Sequence, residues 1–322
     1  MVVQVIPQEP VNPTTADKVI TSIQLAYGVP SLILLFFFLF FLGCSKQYSN
    51  SFYRLVQMDH LINILVYTNT WPGNRLGKIP AGVVILRAIE GLIPGYLTIS
   101  HTLFNVFQHM QFCSSAALNL HRISSVVFFK RYEKFWSRYY PVYFLVSVLY
   151  SFFPLLWIRV QAAHVSIIND TLKITYYWDA MSQYIFLSAV FSVIYAVLIL
   201  VVGLSTAFLV SRTVKNFNQN DHGVSKKLTK IALTSCVLYT GVIVWTIINS
   251  IDSYFPFLPK EMLVYRMDIL MFSSDMITLT LPYILLMFDS NIRKDIKKAF
   301  SRDVSSGTNQ IFVSTSSAAQ QT

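Results

Sequence analysis

The chain alternates long apolar runs with short polar ones that are mostly basic. A helix crossing the hydrocarbon core of a bilayer needs about 20 predominantly apolar residues. Residues 21–42, 139–158, 180–210 and 231–251 each reach that length without a single charge. Three further runs carry isolated ionisable groups: 52–71 holds Arg54 at its edge with Asp59 and His60 inside, 98–121 holds His101 and His109, and 269–288 holds Asp275. Together these runs predict an all-α membrane protein, a bundle of seven transmembrane helices. The stretch 79–97 is also apolar, but it contains Pro80, Arg87, Glu90 and Pro94. It reads as a long outer loop, partly helical at the membrane interface.

Basic residues orient the chain, because Lys and Arg collect in cytoplasmic loops. With seven spans and the N-terminus outside, 17 of the 25 Lys and Arg fall on the inner side, and the excess recurs at the later inner loops and the tail. This divides the chain into an extracellular N-terminus (1–20), the bundle (21–288), a cytoplasmic helix (289–300) and a tail (301–322). The first span has no short apolar stretch behind a basic leader and is expected to stay as a membrane helix. Trp71, Trp136, Trp157 and Trp178 fall near span ends, where an aromatic belt is expected. Asn169-Asp170-Thr171 is a glycosylation sequon in the second outer loop. In the segment after the last span, Ile292, Ile296 and Phe300 share one helical face, with Arg293, Lys294, Lys297 and Lys298 on the others. That pattern predicts an amphipathic helix lying on the lipid of the inner leaflet. The Ser- and Thr-rich tail has little that could form a core and is expected to be disordered.

Composition sharpens this reading. Hydrophobic residues make up 54% of 322 and charged ones only 12%, about half the charged share of ordinary soluble proteins. Three cysteines are too few for a disulfide scaffold and match no metal site. The net charge of +10 is accounted for by the inner loops, and no basic-aromatic patch on a soluble domain points to nucleic acid. No HExxH grouping, phosphate loop or nucleophile elbow appears, so neither an enzyme nor a cofactor is expected. No Lys lies in the seventh span to anchor retinal.

Polar groups inside spans are costly and face the bundle interior. On the third span His101, Asn105, Gln108, Phe112, Ser115, Asn119 and Arg122 form one stripe at steps of three and four. Two roles are open to it: hydrogen bonds between helices, or a ligand cavity lined in the outer half by His101, Asn105 and Gln108, with His109 beside them. Asp275 is expected to face the same space, and Trp245 to line its floor. Asp59 and Asn63 share a face of the second span, and Pro282-Tyr283 lies where the last span can bend; these four are candidate switch elements. Arg122, Lys130 and Arg131 lie at the inner end of the third span and its loop, where a cytoplasmic partner would meet them.

The order of several short segments carries a resemblance. Asn50-Ser51-Phe52-Tyr53 opens the second span and His109-Met110-Gln111-Phe112 sits midway along the third. The third closes with Ala117-Leu118-Asn119-Leu120-His121-Arg122-Ile123-Ser124-Ser125, Tyr132-Glu133-Lys134-Phe135-Trp136 ends the second inner loop, and Ile174-Thr175-Tyr176-Tyr177 lies in the second outer loop. In this order they resemble the nematode serpentine receptors of class gamma, over nearly the whole chain. The resemblance implies a G-protein-coupled chemoreceptor at the plasma membrane of chemosensory neurons. It would bind a small-molecule ligand in the outer half of the bundle and activate a heterotrimeric G protein, with Arg122 as the arginine that ends the third span. His121 precedes that arginine and no acid is adjacent. The second outer loop has no Cys to meet Cys113, so it is expected to be held by packing alone. A ligand-gated channel of seven helices with the N-terminus inside, or a transporter, is the alternative.

The topology is directly testable. A tag after Thr322 should be reachable only in permeabilised cells, a tag before Met1 on intact cells, and Asn169 should be glycosylated. Both tags on one side would overturn the seven-span arrangement.

Overall fold

The computed structural model describes residues 3–7, 14–128, 131–157, 163–168, 171–216, 255–298 and part of 234–252. Helices α1 (Thr15–Cys44), α2 (Ser51–Asn74), α3 (Pro80–Leu92), α4 (Tyr96–Val127), α5 (Tyr132–Trp157) and α6 (Trp178–Asn216) follow in order. Helical residues 243–249 belong to α7, followed by the short α8 (Lys260–Val264), α9 (Arg266–Phe288) and α10 (290–298). Each expected span coincides with a long helix, the sixth over those of its residues that are described. Among the described residues α1 and α9 are, each alone, long and apolar enough to cross a membrane. Helices α2 and α4 are as long, but they carry the polar groups that the bundle buries.

The distribution of side chains inverts that of a soluble protein. On α1, Ser31, Leu35, Phe38 and Leu42 are buried, while Val29, Ile33, Phe36 and Phe40 on the opposite face are 40–65% exposed. The same outward apolar face continues on α5 (Leu145, Val146, Leu149) and α6 (Val197, Val201, Leu204). Only lipid makes so much outward apolar surface stable. Hydroxyls within the helices bond back to carbonyls one turn earlier, as with Ser31 to Tyr27, Thr68 to Ile64 and Ser151 to Ser147. In a bilayer such internal satisfaction is obligatory. Helix α4 is the central one, packing against α2, α5 and α6.

The stretch 79–97 forms α3, bent by 101° from α4. Pro80 starts it, where a missing N–H costs nothing. Gly95 makes the corner at φ +85°, a left-handed conformation open to glycine. The Glu90 carboxylate then accepts hydrogen bonds from the Gly95 and Leu97 N–H groups, at 2.6 and 3.0 Å. The charge that argued against a span therefore caps the first turn of α4, where a helix favours an anion.

At the expected outer end three strands, β1 (Val3–Pro7), β2 (Ala163–Ile168) and β3 (Thr171–Tyr177), form an antiparallel sheet in the order β1-β3-β2. This sheet adds to the helical bundle something the spacing of spans did not foretell. Both hairpin strands are rich in Val, Ile, Thr and Tyr, which suit a pleated surface. Val165 packs with Leu86 and Leu97, and the Thr98 hydroxyl accepts the Val165 N–H at 3.1 Å. Cys113 is free. Strand pairing and this anchor, rather than packing alone, hold the second outer loop. Asn169 lies outside the described residues.

At the other end α10 is bound to the protein more than the sequence suggested. Asp289 caps its first turn and accepts a hydrogen bond from the Tyr53 hydroxyl at 2.8 Å. Tyr48 donates to Asp295 at 2.6 Å, and burial together with that carboxylate pushes the Tyr48 phenol up, so it stays protonated. Ile292 is fully buried and Ile296 packs beside it. The apolar face thus meets the bundle, not lipid, while Arg293, Lys294, Lys297 and Lys298 stay exposed. Phe300 and residues 301–322 lie outside the described residues.

Two glycines give opposite expectations. A Cβ on Gly28 would sit 1.7 Å from the Tyr67 hydroxyl, whereas one on Gly91 meets nothing within 4 Å. Gly28→Ala should destabilise by about 1–3 kcal/mol through overpacking, and Gly91→Ala should be neutral or stabilising by up to about 1 kcal/mol. Thermal unfolding of the detergent-purified variants checks both, and equal midpoints would contradict the α1–α2 contact.

Candidate functional site

The outer half of the bundle is organised by an ion pair. Tyr67, Trp71 and Arg75 follow at i, i+4 and i+8 along α2, so the Arg75 side chain lies over both rings, 5.0 and 5.2 Å from their centroids. Its Nη2 donates to Asp275 Oδ1 at 2.6 Å, with the two side chains 1% and 3% exposed. The Tyr27 hydroxyl donates to the other carboxylate oxygen. Lys78 and Asp268 form a second ion pair farther out. Asp275 therefore faces α1 and α2 and is fully engaged there, not open to the space beside His101, Asn105 and Gln108 as the sequence suggested. Those three are half-buried on α4. His109 takes part in an aromatic cluster: its Nδ1 meets the Tyr195 hydroxyl at 2.7 Å, Tyr150 meets the same hydroxyl at 3.0 Å, and Phe191 packs on the imidazole.

The centre holds a continuous polar chain. Asp59 accepts hydrogen bonds from Asn63 Nδ2 and Ser114 Oγ, each at 2.7 Å. Gln111 Nε2 donates to Asn63 Oδ1 at 2.7 Å and to Thr278 Oγ1 at 2.9 Å. Thr278 passes its own proton to the Ser274 carbonyl. All five side chains from Asp59 to Thr278 are buried, so the chain joins α2, α4 and α9 without exposing a charge. Below it lies a cavity of about 30 Å³ bordered by Asp59, Ser115, Asn119, Arg122 and Thr280, room for one or two waters.

At the inner end a second polar cluster forms around Ser51, while Arg122 borders the same cavity as Asp59. Arg122 is 3% exposed, and its guanidinium lies 5.7 Å from the centre of the Phe52 ring. Glu133, on the first turn of α5, accepts the Ser51 N–H at 2.8 Å and the Ser51 hydroxyl at 2.6 Å. With its single proton committed there, Ser51 Oγ can only accept from His121 Nε2, 2.8 Å away. His121 therefore carries its proton on Nε2, and its ring is enclosed by Phe52, Tyr132 and Trp136. The segment that starts α5 is thus fastened to α2 and α4 by one serine.

Several expectations change. Trp245 donates its indole N–H to the Arg266 carbonyl at 3.3 Å; it pins α7 to the start of α9, at the rim rather than on a cavity floor. Trp136 is 5% exposed and donates to Ser124, so it belongs to the core and not to an aromatic belt. Tyr283, 40% exposed, meets Ser31 of α1 at 2.9 Å and faces outward, while Pro282 is buried within an unbroken α9. Arg131 is exposed and Lys130 lies outside the described residues. Sequence reading gave no site role to Arg75, Tyr27 or Ser114, and named Ser51, Gln111 and Glu133 only within the segments that carry the resemblance. The Tyr67-Trp71-Arg75 spacing was the available signal for the first, since it carries the helix, and its arginine, past the expected end of the span.

Outward apolar helices around a polar spine, with a sheet at one end and an amphipathic helix at the other, define a serpentine membrane bundle. The chain belongs to the Srg family of chemoreceptors, whose family model matches residues 21–296. It is similar to serpentine receptor class gamma-47 of Caenorhabditis elegans, 33% identical over 276 residues, covering 85% of this chain and 89% of that one. Serpentine receptor class gamma-53 of the same organism is 30% identical over 289 residues, covering 86% and 91%.

The ion pair generates a prediction. Removing one partner of a buried pair typically costs about 3–5 kcal/mol, whereas replacing both is far milder. Asp275→Asn should sharply lower the amount of receptor at the cell surface, and Arg75→Gln with Asp275→Asn should recover part of it. A double variant no better than the single one would show that the pair does not act as a unit.

Proposed function

We propose that this chain is a G-protein-coupled chemosensory receptor with its N-terminus outside. A small organic molecule binds in the outer half of the bundle, and a heterotrimeric G protein binds the inner face. The observation that carries this reading is the buried polar chain from Asp59 through Gln111 to Thr278, with the outer ion pair above it on α2 and α9 and Arg122 below. These groups bond helix to helix, so a ligand that shifts α2 or α9 must break and re-form them. That makes the bundle bistable rather than smoothly deformable. Opening the inner end would release Arg122 from its site near Phe52, and parting Ser51 from Glu133 would free the start of α5. Sensory neurons are the expected site of action, by membership of a chemoreceptor family.

Arg122→Ala tests the coupling half. Surface expression should stay near that of the parent, and agonist-driven or basal G-protein activation should fall at least about tenfold, equivalent to about 1.4 kcal/mol. Undiminished signalling would leave Arg122 a marker of the cytoplasmic side and nothing more.

A further inference from the structure

Helix α3 has two apolar faces, and the bundle covers only one of them. Gly82, Val83 and Leu86 are buried, with Leu86 packed against Leu97 and Val165. Gly82 lies so close to the end of α2 that a Cβ there would sit 1.9 Å from the Leu76 carbonyl oxygen. At 100° per residue, Ala81, Val84, Ile85, Ala88 and Leu92 fall within one arc of about 100° on the other side. All five are exposed, Val84, Ile85 and Leu92 by 50–82%. Arg87 and Glu90 lie outside that arc. The exposed apolar surface then continues round the corner, through Ile93 to Ile99 on the first turn of α4.

Helix α3 has 13 residues, about 20 Å at 1.5 Å per residue, against a hydrocarbon core of about 30 Å. It is too short to cross the bilayer. The 101° bend from α4, the third span, lays it close to the membrane plane instead.

We infer that α3 is an interfacial helix whose second apolar face inserts into the outer leaflet, where it meets phospholipid at the boundary between acyl chains and headgroups. The choice of leaflet follows from the orientation proposed above; the insertion itself does not depend on it. Lipid is favoured because the face runs on into the outward apolar surface of α4, which lipid already covers. A second copy of the chain fits less well. One face of five side chains, two of them alanine, falls well short of the roughly 800 Å² per partner that a stable protein contact buries. Because the Glu90 carboxylate joins α3 to the first N–H groups of α4, insertion also sets the height of the central helix in the membrane.

The test uses the full chain reconstituted in phosphatidylcholine vesicles, with benzoylphenylalanine in place of Leu92 or of Arg87. After irradiation, mass spectrometry of proteolytic peptides identifies what each benzophenone has joined. The Leu92 position should give phosphatidylcholine adducts in at least fivefold higher yield than the Arg87 position. If the chain altered at Leu92 fails to fold, Val84 takes its place with the same expectation. A ratio below fivefold, crosslinking to a second copy of the chain in place of lipid, or no lipid adduct at all would overturn the inference. No ligand or G protein enters this measurement, so its failure is separate from failure of the receptor reading.

Discussion

A carboxyl group cannot remain without partners in hydrocarbon, and two of them decide how this bundle packs. Asp59 on α2 and Asp275 on α9 are each 2–3% exposed. Asp275 gathers Arg75 from the end of α2 and Tyr27 from α1; Asp59 gathers Asn63 from its own helix and Ser114 from α4. Water would satisfy these groups in a soluble protein, but here neighbouring helices must do so. The contacts therefore fix the angular position of α1, α2, α4 and α9 about their axes. Apolar packing alone specifies this poorly, since lipid and core are equally apolar.

The same need for internal partners shapes both ends. Glu90 turns the chain from α3 into α4 by accepting the first N–H groups of the new helix, and Asp289 does likewise for α10. Glu133 meets the first N–H of α2 through Ser51. Acidic residues are scarce in this chain, and Asp17, Glu90, Glu133 and Asp289 serve helix termini while Asp275 serves a buried pair.

The long helical runs were legible because hydrophobic length is a one-dimensional signal, and the stretch 79–97, read as a partly helical loop, holds α3. The expectation of polar residues at the bundle centre was likewise sound: Asp59 and Asn63 do sit in the central chain. What could not be read was the pairing. Gln111 and Ser114 fall one step off the stripe running through Gln108 and Ser115, and only the rotation of α4 in three dimensions decides which of the two rows meets Asp59. Arg75 looked like an outer-loop charge because α2 continues beyond the apolar run. The β2–β3 hairpin was overlooked because a 3.6-residue or span-length pattern is blind to short strands outside the membrane.

The central claim is that the buried polar chain between α2, α4 and α9 sets the balance between two arrangements of the bundle. Nucleotide exchange on a heterotrimeric G protein by receptor reconstituted in lipid vesicles measures this balance most directly. Replacing Gln111 by Leu removes the link to Asn63 and Thr278 while keeping an apolar side chain of similar length in the core. The account predicts a change in basal exchange per receptor of at least about threefold, roughly 0.7 kcal/mol in the balance between states. Exchange identical to the parent, at equal receptor density and equal thermal stability, would contradict it.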